Sequence, residues 1–219
     1  MLETIDIQTA ATPDSAVIWL HGLGADGHDF EPIVPELVRR GERAWRFVFP
    51  HAPVRPVTLN GGMPMRAWYD IVSLDRTVEE DLAGFADADA HVRALIAREG
   101  ARGIPAQRIV VAGFSQGGAV ALYSGLRFPQ RLAGLLALSC YLPAAARLAA
   151  ERAAANDATP VFIAHGLEDP VLHPSLGRHA RDCLRALGYH VDWHDYPMGH
   201  AVVADEIAAI RAFLLGVLP

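Results

Sequence analysis

Short apolar runs separated by longer stretches of helical period constrain this chain more than any other feature. Residues 16–20, 47–49, 108–112, 134–139, 161–164 and 191–196 read as strands, and residues 30–40, 77–99, 116–128, 144–155, 175–188 and 201–215 as helices. A strand covered by helices on both faces is buried on both, so it reads as a continuous apolar run. The alternation therefore predicts the α/β class, with a mostly parallel central sheet flanked by helices. At 219 residues and roughly 150 residues per domain, one domain over residues 1–219 is predicted. Residues 51–73 fit neither period, because Pro53, Pro56, Asn60, Gly61, Gly62 and Pro64 break regular elements. Met63, Met65, Trp68 and Tyr69 are nevertheless large and apolar, and a loop of this length in a compact domain is predicted to bind or cover something. The run Glu79-Glu80-Asp81 reads as an acidic helix start, favoured by the helix dipole.

Composition removes several chemistries. All 19 positive charges are arginine, so lysine Schiff bases, pyridoxal-phosphate catalysis and the lysine-bearing phosphate loop are excluded. A net charge of −6 and the lack of a basic cluster argue against a nucleic-acid partner. Cys140 and Cys183 form no CxxC pair, so neither a zinc site nor a disulfide framework is predicted, and Cys140 reads as a buried small thiol. Glu3 and Asp6 stand where a signal peptide needs basic residues. The uncharged stretch 132–146 is too short to span a bilayer. No membrane insertion and a cytoplasmic setting are predicted.

Gly113-Phe114-Ser115-Gln116-Gly117 lies between the run 108–112 and the helical stretch 116–128. With 19 glycines among 219 residues, chance supplies only about 0.04 Gly-x-Ser-x-Gly pentapeptides per chain. The glycines relieve crowding at a sharp strand-to-helix corner that lifts the serine hydroxyl clear of the sheet. The same corner aims the Gln116 N–H and the positive helix end at the place where an oxyanion would form.

A serine needs a histidine to take its proton and a carboxylate to hold that histidine's tautomer. Chains built on such an elbow run Ser, then Asp or Glu, then His, with acid and base on loops after later strands. His165-Gly166-Leu167-Glu168-Asp169-Pro170 follows the run 161–164, and Pro197-Met198-Gly199-His200 follows 191–196. Of the ten histidines, His200 has the right order and loop position. His190, His194, His173 and His179 sit in or beside the last strand or a helix. For the acid, Glu168 and Asp169 both qualify by type, and Pro170 fixing the following turn favours Asp169.

The second oxyanion donor is expected on the loop after residue 20, where His21-Gly22-Leu23-Gly24 makes the Leu23 N–H the best candidate. Gly22-Leu23-Gly24-Ala25-Asp26-Gly27 also satisfies the dinucleotide pattern Gly-x-Gly-x-x-Gly. That reading asks for an acid at the end of the next strand, and the run 47–49 ends in Pro50-His51.

Together, Leu20-His21-Gly22-Leu23-Gly24, Pro50-His51-Ala52-Pro53, residues 65–71, Gly113 to Gly118, Leu138-Ser139-Cys140-Tyr141-Leu142-Pro143, His165-Gly166 with Asp169-Pro170-Val171, and Gly199-His200 resemble one family. It is the carboxylesterase and acyl-protein thioesterase family of α/β-hydrolases, which includes lysophospholipase-like esterases. The resemblance implies an α/β-hydrolase fold with a minimal cap. It implies Ser115, Asp169 and His200 as the triad, with Asp169 chosen over Glu168, and the Leu23 and Gln116 N–H groups as the oxyanion hole. It further implies that residues 53–73 border the acyl pocket, so that Met63, Met65 and Trp68 would bind substrate.

The expected activity is hydrolysis of a carboxylic ester or thioester through an acyl-enzyme on Ser115, with a small-molecule substrate of short to medium acyl chain. No cofactor and no metal are expected. Acyl-protein thioesterase or lysophospholipase activity is the alternative, and a non-catalytic binding protein on a hydrolase fold is the alternative from another class.

Overall fold

Along each central strand, successive side chains point to opposite faces of the sheet, and both sets are apolar. In the computed structural model, which describes residues 2–39, 41–73 and 80–219, this divides the core into two layers. Ile18, Val111, Leu135 and Ile163 face one side, and Val17, Val110, Leu136 and Phe162 face the other.

The strands are β1 (Thr4–Gln8), β2 (Ser15–Leu20), β3 (Trp45–Pro50), β4 (Val54–Val57), β5 (Met63–Arg66), β6 (Ile109–Phe114), β7 (Gly134–Leu138), β8 (Val161–Gly166) and β9 (Val191–Tyr196). Seven of them form one sheet in the order β1-β3-β2-β6-β7-β8-β9. All neighbours are parallel except β1, which pairs antiparallel with β3. The helices are α1 (Val34–Leu37), α2 (Leu82–Ala101), α3 (Gln116–Leu126), α4 (Ala145–Glu151), α5 (Pro174–Ala186) and α6 (Ala204–Val217). Phe85, Val92, Val120, Leu122, Ala180 and Leu184 of α2, α3 and α5 cover one face. Val34, Leu37, Ile210 and Leu214 of α1 and α6 cover the other. The predicted α/β architecture, a mostly parallel central sheet flanked by helices, is what the chain forms.

Several local expectations need correction. The helix predicted over 30–40 is a 3-10 turn (Glu31–Ile33) followed by four α-helical residues; Pro35 withholds the N–H that a continuous helix would pair with the Glu31 carbonyl. The predicted end at Arg40 lies outside the described residues. So does the predicted start at Thr77, together with Glu79. Helix α2 begins at Leu82, where the Asp81 side chain caps the Gly84 N–H at 2.8 Å. Strand β1 was not anticipated: Thr4-Ile5-Asp6-Ile7-Gln8 alternates polar and apolar residues, as a half-buried edge strand should.

Residues 51–73 are not wholly irregular, since β4 and β5 form an antiparallel hairpin. Pro56 stands opposite Pro64, a register that avoids a hydrogen-bonded pair and so leaves the missing N–H groups unneeded. Among the described residues no helix is long and apolar enough to cross a membrane.

Candidate active site

The end of β6 runs directly into α3 through Ser115, whose φ of 54° and ψ of −117° are costly for a residue with a side chain. The turn survives because its neighbours leave room for it. A Cβ on Gly117 would lie 2.2 Å from the Leu20 carbonyl oxygen, and one on Gly113 would lie 2.3 Å from the Gly117 backbone. Backbone bonds hold the corner: the Ser115 N–H donates to the Leu138 carbonyl at 2.8 Å, and the Ser115 carbonyl accepts the Ala119 N–H at 3.1 Å.

Ser115 Oγ lies 2.9 Å from His200 Nε2, and His200 Nδ1 lies 2.7 Å from Asp169 Oδ2. The carboxylate can only accept, so Nδ1 carries the hydrogen and Nε2 is free to accept the serine O–H. The other Asp169 oxygen accepts the N–H groups of Val171 and Leu172 at 2.8 and 2.9 Å, the turn that Pro170 begins. Asp169 is buried, whereas Glu168 points to solvent. The structure thus brings Asp169, and not its neighbour, to His200. The ring of Phe114 flanks the imidazole, with centroids 4.8 Å apart.

These groups open onto a cavity of about 290 Å³. Gly22 and Leu23 of the loop after β2 form one side of it, Ser115, Gln116 and His200 form the floor, and Leu59, Tyr69, Ile71, Val72, Tyr141 and Leu172 are among the apolar walls. Among the described residues neither the Leu23 nor the Gln116 main-chain N–H is taken by a protein acceptor, and Gln116 is the first residue of α3, where N–H groups have no intrahelical partner. The two predicted oxyanion residues and two triad residues therefore share one cavity, with Asp169 behind His200.

The predicted wall residues do not. Met63, Met65 and Trp68 are not among the residues that line this cavity. Met63 is 61% exposed on the hairpin, Met65 Sδ accepts from Asn60 Nδ2 at 3.1 Å, and Trp68 is wholly buried in the core. Met65 nevertheless stands beside the loop after β2, its Sδ 3.8 Å from where a Gly24 Cβ would be, and the Gly24 N–H donates to the Arg66 carbonyl at 2.9 Å. The hairpin instead serves the wall through its turn, where the Leu59 N–H donates to the Ile71 carbonyl at 2.7 Å and Thr58 Oγ1 to Asp70 at 2.6 Å.

Two further features had no assigned role in the sequence. His165 lies with Nε2 2.8 Å from the Leu172 carbonyl and 3.4 Å from Asp169 Oδ2. Burial pulls its pKa down, so it is a neutral brace for the loop bearing the acid. Tyr141 closes the cavity opposite, its hydroxyl 3.0 Å from that of Tyr69. Each sits in a motif already singled out, so loop position was the available signal. Cys140 is fully buried, 3.0 Å from where a Gly118 Cβ would stand, and burial pushes its thiol pKa up. It is outside the cavity lining.

The profile of a family described as phospholipase/carboxylesterase matches residues 3–218. The chain is 43% identical over 223 residues to acyl-protein thioesterase 1 of Neurospora crassa, covering 97% of this chain and 91% of the relative. It is 39% identical over 230 residues to acyl-protein thioesterase 1 of Mycosarcoma maydis, covering 98% and 96%. Among solved structures, acyl-protein thioesterase 2 of Zea mays superposes with a TM-score of 0.86 at 28% identity, covering all of both chains.

Proposed function

This chain belongs to the phospholipase/carboxylesterase family, and on that premise we propose that Ser115, His200 and Asp169 are its catalytic triad, with Leu23 and Gln116 supplying the oxyanion hole. The protein is a serine hydrolase of carboxylic esters or thioesters. The observation that carries the proposal is the hydrogen-bonded line from Ser115 through His200 to Asp169 at the floor of an apolar cavity.

His200 Nε2 takes the hydroxyl proton as Ser115 Oγ adds to the acyl carbonyl, and Asp169 stabilises the imidazolium that forms. The carbonyl oxygen gains its charge between the Leu23 and Gln116 N–H groups. Nε2 then returns the proton to the departing alcohol or thiol, leaving an acyl-Ser115. Water repeats the sequence, losing a proton to Nε2 and releasing the carboxylic acid. No step calls for a metal or cofactor.

For substrate, we propose esters of short to medium acyl chain. A cavity of about 290 Å³ is at the small end of the roughly 300–1,000 Å³ of ligand sites. Each methylene buried is worth ~0.8 kcal/mol, so kcat/KM should rise about fourfold per carbon until the cavity is full. Acyl-protein thioesterase activity is the second reading, favoured by the likeness to proteins of that name. Cys140 and Cys183 are both unbridged, which fits a reducing compartment such as the cytoplasm.

A turnover screen over aryl esters of graded acyl length, with a lysophospholipid and an acyl-peptide thioester alongside, tests the substrate. An optimum among short to medium esters is expected. An optimum on a palmitoyl thioester would replace the first reading by the second.

A further inference from the structure

Gln116 enters the proposed chemistry through its main chain, yet its side chain is also fully engaged. Its Oε1 accepts the Trp68 N–H at 2.8 Å and its Nε2 donates to the Tyr69 carbonyl at 2.8 Å. One partner can only donate and the other only accept, which fixes the amide's orientation. The path continues from Trp68, whose indole Nε1–H donates to the His21 carbonyl at 2.9 Å. The His21 ring accepts the Ala52 N–H on Nε2 at 3.0 Å, so Nδ1 carries the hydrogen and donates to the Gly22 carbonyl at 2.7 Å. Gly22 C=O and Leu23 N–H belong to one planar peptide unit. Fixing the carbonyl therefore fixes the direction of the N–H. Gln116, Trp68 and His21 are all at most 2% exposed, so water does not compete for these bonds.

We infer that Trp68 and the Gln116 side chain are positioning residues, which hold the Leu23 and Gln116 N–H groups at a fixed separation across the oxyanion site. The inference rests on the oxyanion reading proposed above. Each donor sits on a different element, one on the loop after β2 and one on α3, and the buried path ties one to the other. Trp68 touches no substrate. It acts through the His21 carbonyl on a loop whose glycines would otherwise let the donor drift, and a misplacement of about 1 Å can cost on the order of 100-fold in rate.

The test compares Trp68→Phe, which removes the indole N–H and keeps an aromatic ring, with Gln116→Met, which keeps length and loses both polar ends. Turnover of a short aryl ester is measured beside the affinity for a trifluoromethyl ketone, whose serine adduct places an oxyanion in the hole. Each substitution should lower kcat by about 10- to 100-fold with KM within about twofold, and should weaken the ketone by the same factor as kcat/KM. The double variant should lose no more than about the larger single loss, because a serial path is broken once.

Values of kcat and ketone affinity within about twofold of the parent, losses confined to melting temperature and KM, or losses that multiply in the double variant would each overturn the inference. Should Gln116→Met not fold, Trp68→Phe decides alone. A Ser115→Ala control separates the two levels: if that variant loses turnover while Trp68→Phe is unimpaired, the positioning role fails and the triad reading stands. If Ser115→Ala retains turnover, the underlying reading fails first.

Discussion

Replacing Glu206 by Gln should abolish a pH dependence of stability built into α6. The Glu206 carboxyl is wholly buried, and neither oxygen has a hydrogen-bond partner among the described residues. Burial pushes its pKa from 4.5 up to about 8, only partly offset by the nearby Val203 N–H. The native state therefore keeps the proton at neutral pH, whereas the unfolded chain releases it above pH 4.5. Stability from this group is present in full below pH 4.5 and is lost as pH rises toward 8. At ~1.36 kcal/mol per unit, the loss between pH 5 and pH 8 is about 3–4 kcal/mol. Glutamine stays neutral throughout, so any cost of its unsatisfied amide is the same at every pH. Urea unfolding of both proteins at pH 5, 6.5 and 8 reads the effect, and groups common to both cancel in the difference. Relative to the parent, Glu206→Gln should gain about 3–4 kcal/mol between pH 5 and 8. A stability difference that stays constant over this range would refute the reasoning.

Burial pushes the His21 pKa from 6.5 down to about 4, so the parent should lose about 3 kcal/mol as pH falls from 6.5 to 4. His21→Gln should flatten that slope in the same unfolding assay. Asp169→Asn should cost ~10⁴ in kcat by favouring the wrong tautomer of His200, whereas the solvent-facing Glu168→Gln should leave aryl-ester turnover nearly unchanged; the reverse ranking would move the acid. Ile71→Ala should widen the cavity and shift the acyl optimum about one to two methylenes longer, while Met63→Ala and Met65→Ala leave the chain-length profile as it is. A shift in either methionine variant, measured over graded aryl esters, would return those residues to the wall.

The corner at Ser115 was legible because strain leaves so few sequences able to make it. Glycine is needed at 113 and 117 by backbone approaching within 2.2–2.3 Å, and that demand is written locally. His200 was legible for a related reason, since parallel strands deliver their following loops to one edge. The choice between Glu168 and Asp169 was not legible from residue type. It depends on the turn after Pro170 bringing the Val171 and Leu172 N–H groups onto one carboxylate, a three-dimensional preference that Pro170 indicates in the sequence and the resemblance implies outright. The cavity wall was harder still. Size and apolarity pointed to Met63, Met65 and Trp68, but which apolar residues face the cavity depends on the β4–β5 register and on the bonds of Thr58 and Leu59 to Asp70 and Ile71. A hairpin of two four-residue strands, each holding a proline, leaves no clear period in the sequence. Strand β1 does leave one, a clear alternation of polar and apolar residues over Thr4–Gln8, as an edge strand with one wetter face requires.

The central claim is that Ser115 is the nucleophile, and the most direct measurement is mass spectrometry of the protein after a fluorophosphonate, paired with the turnover of Ser115→Ala. One adduct on the peptide containing Ser115 is expected, together with a fall in turnover of ~10⁴ or more at unchanged melting temperature, since the hydroxyl fills no core volume. An adduct on another residue, or turnover by Ser115→Ala within about tenfold of the parent, would contradict the account.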